Sequence, residues 1–174
     1  MPETYGRSGI TITWDPLPEI VASEFDTLGN DFSSFKTPLR KSVSKVMVPS
    51  IRKNFAVGGR PPWQPLVADT LRHKARKGYG SSVLIASGKL SRRATANDLW
   101  VVDDQEAMIP GLPSEIAYGF YHQEGWTPHH SGAGGEFIHV DPREWALIQR
   151  EDANDIEEIF FEWIEERIAR AGLG

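Results

Sequence analysis

Residues 83–90, Val-Leu-Ile-Ala-Ser-Gly-Lys-Leu, are the nearest approach in this chain to a phosphate-binding loop. Such a loop surrounds phosphate with the backbone amides of a glycine-rich turn, and a Ser or Thr hydroxyl after its lysine holds magnesium. Here Val83 replaces the first glycine, and Leu90 stands where the hydroxyl is needed. The segment therefore does not predict nucleotide binding.

Three histidines between residues 129 and 139 are of the residue type that zinc sites use. His129, His130 and His139 offer imidazoles, and Glu136 or Asp141 offers a carboxylate. A metal site also needs ligands that are held by packing and by hydrogen bonds from a second layer of residues. A glycine-rich stretch supplies neither, so the sequence predicts no metal and no cofactor.

His122 and Glu124 lie close together on a predicted helix and are the best candidates for acid–base catalysis. The alternative is that His122 hydrogen-bonds to backbone at the helix end, and this structural role is favoured. Ser131 follows His130 but lacks an ordered acid and a nucleophile turn, which argues against a hydrolase triad. The residues therefore favour a protein that is not an enzyme.

The charges are strongly segregated along the chain. Residues 36–93 contain fourteen basic residues and one acid, whereas residues 94–174 contain seventeen acids and four arginines. Complementary fields of this size orient association. The basic part can face the acidic part of a neighbouring subunit or face nucleic acid, or both parts can be solvated surfaces that neutralise each other within one monomer.

Tryptophans offer a second route to nucleic acid, because indole rings stack on bases. Most of them stand at the spacing of apolar helix faces, which favours packing in the core or at an interface. The five in question are Trp63, Trp100, Trp126, Trp145 and Trp163.

Composition indicates an ordinary globular protein. The chain has 174 residues, of which 40% are hydrophobic and 25% charged, so it can bury a single core and should fold. It contains no cysteine, and no stretch is apolar enough to span a bilayer, so neither secretion nor membrane association is predicted. We expect one domain over 1–174, with a flexible N-terminal arm at 1–9 and a mobile Gly-rich loop at 126–136.

Periodicity predicts an α+β fold in which amphipathic helices cover an antiparallel sheet. Strands are expected at 10–14, 89–95, 99–102, 107–109 and 137–140. Helices are expected at 19–28, 38–56, 69–77, 114–125 and 145–170. The second has Thr37 as its expected N-cap and a kink at Pro49. The fourth has an apolar face formed by Ile116, Ala117, Phe120 and Tyr121. The last helix has an apolar stripe that includes Ile148, Ile159 and Trp163, opposite an acidic face.

A set of residues in a fixed order resembles the virion-morphogenesis, or tail-completion, proteins of Mu-like and related tailed phages. The resemblance covers roughly residues 10–168 and ends with the Pro142, Arg143 and Trp145 step; a longer N-terminal half and a longer Gly-rich loop depart from the family. The motif residues are Trp63, Leu66, Thr70, Ser87, Gly88, Leu90, His122 and Gly125.

The resemblance implies a tail-completion or terminator-like fold and a structural role in the virion, at the neck or tail end. The family forms a homo-oligomer, expected here as a ring of six or twelve copies around DNA that passes without sequence specificity. Portal, neck or tail-tube proteins are its expected partners, and assembly in the bacterial cytoplasm is implied. A nucleic-acid-binding protein that uses residues 36–93 is the alternative.

Candidate interface and DNA-channel residues follow from the charges. They are Arg40, Lys41, Lys45, Arg52, Arg72, Arg76, Lys77, Glu158, Glu162 and Glu166. Trp63, Leu66, Leu84 and Leu90 are expected to be substantially buried.

Overall fold

The computed structural model describes residues 18–127 and 140–172. In these ranges 59% of the residues are helical and 4% are in strands. The protein is therefore a mixed, mainly helical structure with one small antiparallel hairpin, which is compatible with α+β only in a loose sense. The predicted N-terminal arm at 1–9, the strand at 10–14 and most of the loop and strand at 126–140 lie outside the described residues. The prediction of a single domain stays a prediction.

The N-terminal half is a series of helices. Helix α1 spans Pro18–Asp31, α2 spans Lys36–Ser42, a π-helical segment spans Val43–Met47, α3 spans Val48–Val57 and α4 spans Ala68–Arg76. The expected helices at 19–28 and 69–77 are thereby confirmed. Gly58 ends α3 in the left-handed conformation, with φ 82°, and its N–H donates to the Asn54 carbonyl, as the Gly-Gly pair predicts.

The π segment ends at Met47, two residues before Pro49. Proline has no N–H to donate to the carbonyl four residues earlier, and its ring crowds the preceding turn. A wider turn relieves that crowding. The irregularity predicted at Pro49 therefore takes the form of a π segment within one long helical stretch, residues 36–57.

The prediction of Thr37 as N-cap is wrong. Thr37 lies inside α2, whose N-cap is Phe35 and has no side-chain cap. The Phe35 ring packs 5.6 Å from Trp163 and 6.0 Å from Phe160, between ring centroids. The Ser34 hydroxyl, and not that of Thr37, accepts the Lys36 N–H at 3.3 Å, and aromatic packing of Phe35 holds the start of α2 against the C-terminal helix.

The C-terminal half begins with the largest departure from expectation. Residues 89–95 were expected as a strand, but Lys89–Ala94 form helix α5. Leu90 and Ala94, four residues apart, are 1% and 0% exposed. Residues four apart share one face of a helix, whereas in a strand Arg92, which lies between them, would share that face as well. Arg92 is exposed, as the helix requires.

A hairpin replaces the expected broad sheet. A 3₁₀ turn at Asn97–Leu99 leads into β1, Val101–Val102, which pairs antiparallel with β2, Ala107–Met108. Residues 90–109 therefore contain a two-stranded sheet and not a three-stranded meander. With so little sheet to cover, the helices pack on one another.

The last helices complete the fold. A 3₁₀ turn at Ser114–Ile116 precedes α6, Tyr118–Glu124, and α7 spans Arg150–Arg170 and packs on α1, α2 and the π segment. The predicted C-terminal helix is confirmed but begins at residue 150, and Ile148 is exposed. The predicted apolar face of residues 114–125 is wrong, since Phe120 and Tyr121 are 59% and 56% exposed.

The main core lies between α3, α5, the 3₁₀ turn at Ser114–Ile116 and the segment before α7. Its buried members are Ile51, Phe55, Trp63, Leu90, Ala94, Ile116 and Trp145. Burial of Trp63, Trp145 and Trp163 confirms core packing for three of the five tryptophans. Of the four residues expected to be buried around the motif, Trp63 and Leu90 are buried, whereas Leu66 and Leu84 are half-buried.

Candidate functional site

Five motif residues from three separate segments of the sequence meet at one cleft of about 230 Å³. The cleft lies between α4, the turn before α5, and α6, and its floor is apolar. Lys74, Lys89 and Arg143 also line it, and no carboxylate does. The motif residues at its wall are Leu66, Thr70, Gly88, Leu90 and His122.

Trp63 supports this cleft from inside the core. Its ring meets Phe55 edge-on at 5.7 Å, and its Nε1–H donates to the Glu144 carbonyl at 3.1 Å. A Cβ at Gly59 would lie 2.5 Å from Trp63 Cδ1, and Gly59 has φ 99°. Only glycine fits there, so the Gly-rich turn and the tryptophan form one structural unit.

The end of α6 is fastened to the segment before α7. Gln123 Oε1 accepts the N–H groups of Trp145 and Ala146, each at 3.1 Å, and its Nε2–H donates to the Ala146 carbonyl at 3.0 Å. A Cβ on Gly125, with φ 75°, would lie 2.8 Å from the Val140 carbonyl oxygen. The motif around His122 therefore connects two segments, and Gln123, which was not among the predicted site residues, makes the central contacts.

His122 is half-buried beside Trp126, with 5.1 Å between the ring centroids. Its buried Nδ1 has no hydrogen-bond partner among the described residues, so the expected bond to backbone is not present at that atom. Burial, and then the positive charge of Arg143, lower the pKa of His122. Glu124 is exposed, and no hydrogen bond joins it to His122 in the described part of the chain.

We expect His122 to make the fold less stable in acid. A lowered folded-state pKa means that the unfolded chain binds the proton more readily. The stabilising contribution is fully present above the unfolded-state pKa of about 6.5 and is lost as the pH falls through the lowered value. Urea unfolding at a series of pH values checks this, since the wild type should lose more stability between neutral and mildly acidic pH than His122→Gln. Parallel curves for the two proteins would contradict it.

Lys74 belongs to the basic stretch but is only 8% exposed. Its Nζ donates to the carbonyls of Ser82 at 2.5 Å and Ile85 at 2.6 Å, and burial lowers its pKa. It holds the turn before α5 against α4. Among the described residues, Lys74 is therefore a structural cation, which its place in a run of charges did not signal.

The predicted interface charges divide into paired and unpaired groups. Lys41 binds Glu162 at 2.7 Å within the same chain, and Glu166 lies 3.4 Å from Arg170. Arg72 pairs with Asp69 in its own helix. In residues 18–127 and 140–172 no ion pair is made by Arg40, Lys45, Arg52, Arg76, Lys77 or Glu158. Part of the charge segregation is thus neutralised inside one monomer, as one of the three initial alternatives states.

The other candidates for chemistry remain separate. Lys89 is an exposed residue at the first turn of α5, and residues 83–88 form turns before it. His129, His130, Ser131, Glu136 and His139 lie outside the described residues. Within the described ranges no group of His, Asp and Glu side chains is placed to hold a metal ion, and no helix combines the length and apolarity needed to cross a membrane.

Comparisons of the chain with family models, with curated proteins and with solved structures gave no match. The functional assignment therefore depends on the residues and on their arrangement.

Proposed function

We propose that this chain is a structural virion protein of a tailed phage, which completes the tail or joins head to tail as a ring around the DNA channel. The supporting observation is the convergence of Leu66, Thr70, Gly88, Leu90 and His122 on one cleft, with Trp63 in the core behind them. A motif that builds one local structure fits a shared fold better than chance matches scattered over a surface. The proposal includes a tail-completion type of fold for the helical domain.

Two surfaces support assembly into a ring. The outer face of α7 and the outer face of α4 carry opposite charges, and most of these side chains are exposed. Different surfaces that meet between identical subunits generate closed rings when the rotation closes. DNA passing through such a lumen needs only positive side chains and no contact with base edges. No catalysis is part of the proposal.

Solution mass and electron microscopy test the proposal. We expect sedimentation velocity to show a discrete oligomer and images of the purified protein to show closed rings. The ring should also form, or grow more abundant, on purified phage tails or portal vertices. A chain that stays monomeric alone and on both of these structures would contradict the proposal.

The alternative, a nucleic-acid-binding protein, is favoured by one observation. Arg52, Lys89, Arg92 and Arg93 line two neighbouring shallow grooves around α5, where Glu115 is the single acid. Phosphate contacts of this kind make the logarithm of affinity fall with the logarithm of salt concentration, by about 0.9 for each contact. A monomer that binds duplex DNA with a slope of several units would support this alternative over the ring.

A further inference from the structure

The outer face of α7 carries a large exposed aromatic ring among carboxylates. Phe161 is 63% exposed and lies in a shallow groove on the side of α7 opposite the buried Ile159 and Trp163. Around it stand Asn154, Glu157, Glu158 and Glu165. An apolar anchor with a charged rim is the usual arrangement of a binding hot spot.

Helix α4 carries the opposite pattern. Its inner side is occupied by buried Lys74. Ala68, Leu71 and Ala75 follow at spacings of three and four and are all exposed, as is Val67 before the helix. Arg72 and Arg76 flank this strip and are exposed too. The strip has apolar side chains in its centre and cations at its edge.

The outer face of α7 and the exposed strip of α4 complement each other in apolar surface and in charge. Phe161 matches the apolar strip of α4, and the glutamates match Arg72 and Arg76. Neither face covers the other within one chain, since both are exposed. Lys41 is excluded from this pairing because its amine already binds Glu162 in the same chain. Arg72 pairs with Asp69 of its own helix, but both side chains are more than two-thirds exposed, and such a surface pair is weak enough to exchange for a glutamate of a neighbouring copy. The structure thus separates the acids that are already paired from those that remain open.

We infer that the α7 face of one copy of this chain docks on α4 of the next copy. The contact is head to tail, because its two sides are different surfaces. Phe161 fills the centre, and Glu158 and Glu165 face Arg72 and Arg76 at the rim. The inference rests on the proposed ring and identifies the surfaces that join its subunits.

Two charge reversals and their mixture test the contact. The acidic-face variant is Glu158→Arg with Glu165→Arg, and the basic-face variant is Arg72→Glu with Arg76→Glu. Each variant alone opposes like charges at every contact, so its assembly should weaken at least about a hundredfold. An equimolar mixture restores opposite charges at every contact when the two variants alternate, and it should assemble again. Light scattering and sedimentation velocity measure all three.

Matched controls separate the contact from folding and from net charge. Asp26→Arg with Asp155→Arg changes the charge as much as the acidic-face variant, at exposed positions outside the groove, and should assemble normally. Phe161→Ser removes the anchor with no change in charge and should weaken assembly even in high salt, where charges are screened. Circular dichroism should show a folded monomer for every variant.

Each remaining outcome decides between the hypotheses. If the wild type forms rings and either reversed variant forms them equally well, the docking inference is wrong while the ring proposal stands. If the basic-face variant loses only its affinity for DNA, α4 is a nucleic-acid surface and the inference is also wrong. A wild type that is monomeric alone and on tails or portals overturns both.

Discussion

Replacement of Trp63 by alanine is expected to lower the free energy of unfolding by about 3–5 kcal/mol, the usual effect of deleting a large buried aromatic side chain. Trp63 is 8% exposed, packs edge-on against Phe55 and donates to the Glu144 carbonyl. Its removal leaves a cavity in the main core and a backbone acceptor without its donor. Urea titration followed by circular dichroism measures the change.

Two further variants show whether packing is the cause. Trp63→Phe keeps most of the ring and should lose less stability than the alanine variant, because only part of the volume and the Nε1–H are removed. Phe25→Ala removes an exposed aromatic side chain of α1, outside the proposed subunit contact, and should change the free energy of unfolding by no more than about 0.5 kcal/mol. A loss below about 1 kcal/mol for Trp63→Ala would mean that the tryptophan does not support the core.

Local features of the fold were predictable where local chemistry determines them. The turn between β1 and β2 falls between the strands expected at 99–102 and 107–109, and there Asp103 Oδ1 accepts the N–H groups of Gln105 and Glu106, each at 2.8 Å. Those two hydrogen bonds lower the pKa of Asp103. The end of α3 was predictable from Gly58. The long C-terminal helix was predictable from the regular helical spacing of its apolar residues.

Features that depend on packing were not predictable from one sequence. Residues 89–95 are too short for a clear period, and the helix is distinguished from a strand only by the burial of Leu90 and Ala94 with Arg92 exposed between them. Phe120 and Tyr121 fit an apolar helix face, yet Gly119 is the buried residue of α6, because its missing side chain admits Leu90. Tertiary contacts decide which face of a short helix turns inward.

The candidate site was also predictable only in part. The order of the motif residues is visible in the sequence, but their meeting at one cleft is not, since α4 and α6 are brought together only by the fold. The sequence alone shows that residues 36–93 are basic and residues 94–174 are acidic. It did not identify Lys41 and Glu162 as an internal pair, or Lys74 as a buried cation, because a list of charges contains no distances.

The second large effect is expected at Asp152, in a buried network that joins α3 to the start of α7. Asp152 is 4% exposed, and its Oδ2 accepts the Ser50 hydroxyl at 2.5 Å and the Gln149 N–H at 2.9 Å. Arg60 reaches the same Ser50 hydroxyl at 2.5 Å and Asn54 Oδ1 at 2.8 Å. Asp152→Ala leaves the buried Ser50 hydroxyl and the half-buried Gln149 N–H without this acceptor, at about 1–3 kcal/mol for a fully buried donor, and removes one half of the capping box of α7. We expect a loss of about 3 kcal/mol or more in urea unfolding.

The neighbouring exposed acid on α7 provides the control. Asp155→Ala, one turn further along the helix, should change the free energy of unfolding by no more than about 0.5 kcal/mol. Because Ser50 and Asp152 share one hydrogen bond, the double variant Ser50→Ala with Asp152→Ala should lose less than the sum of the single losses. Additive losses would show that the two side chains act independently, and an Asp152→Ala loss as small as that of Asp155→Ala would show that the network does not stabilise the fold. A less-than-additive result would instead assign Ser50 and Asp152 to one unit that holds α7, and with it the acidic face around Phe161, against the rest of the domain.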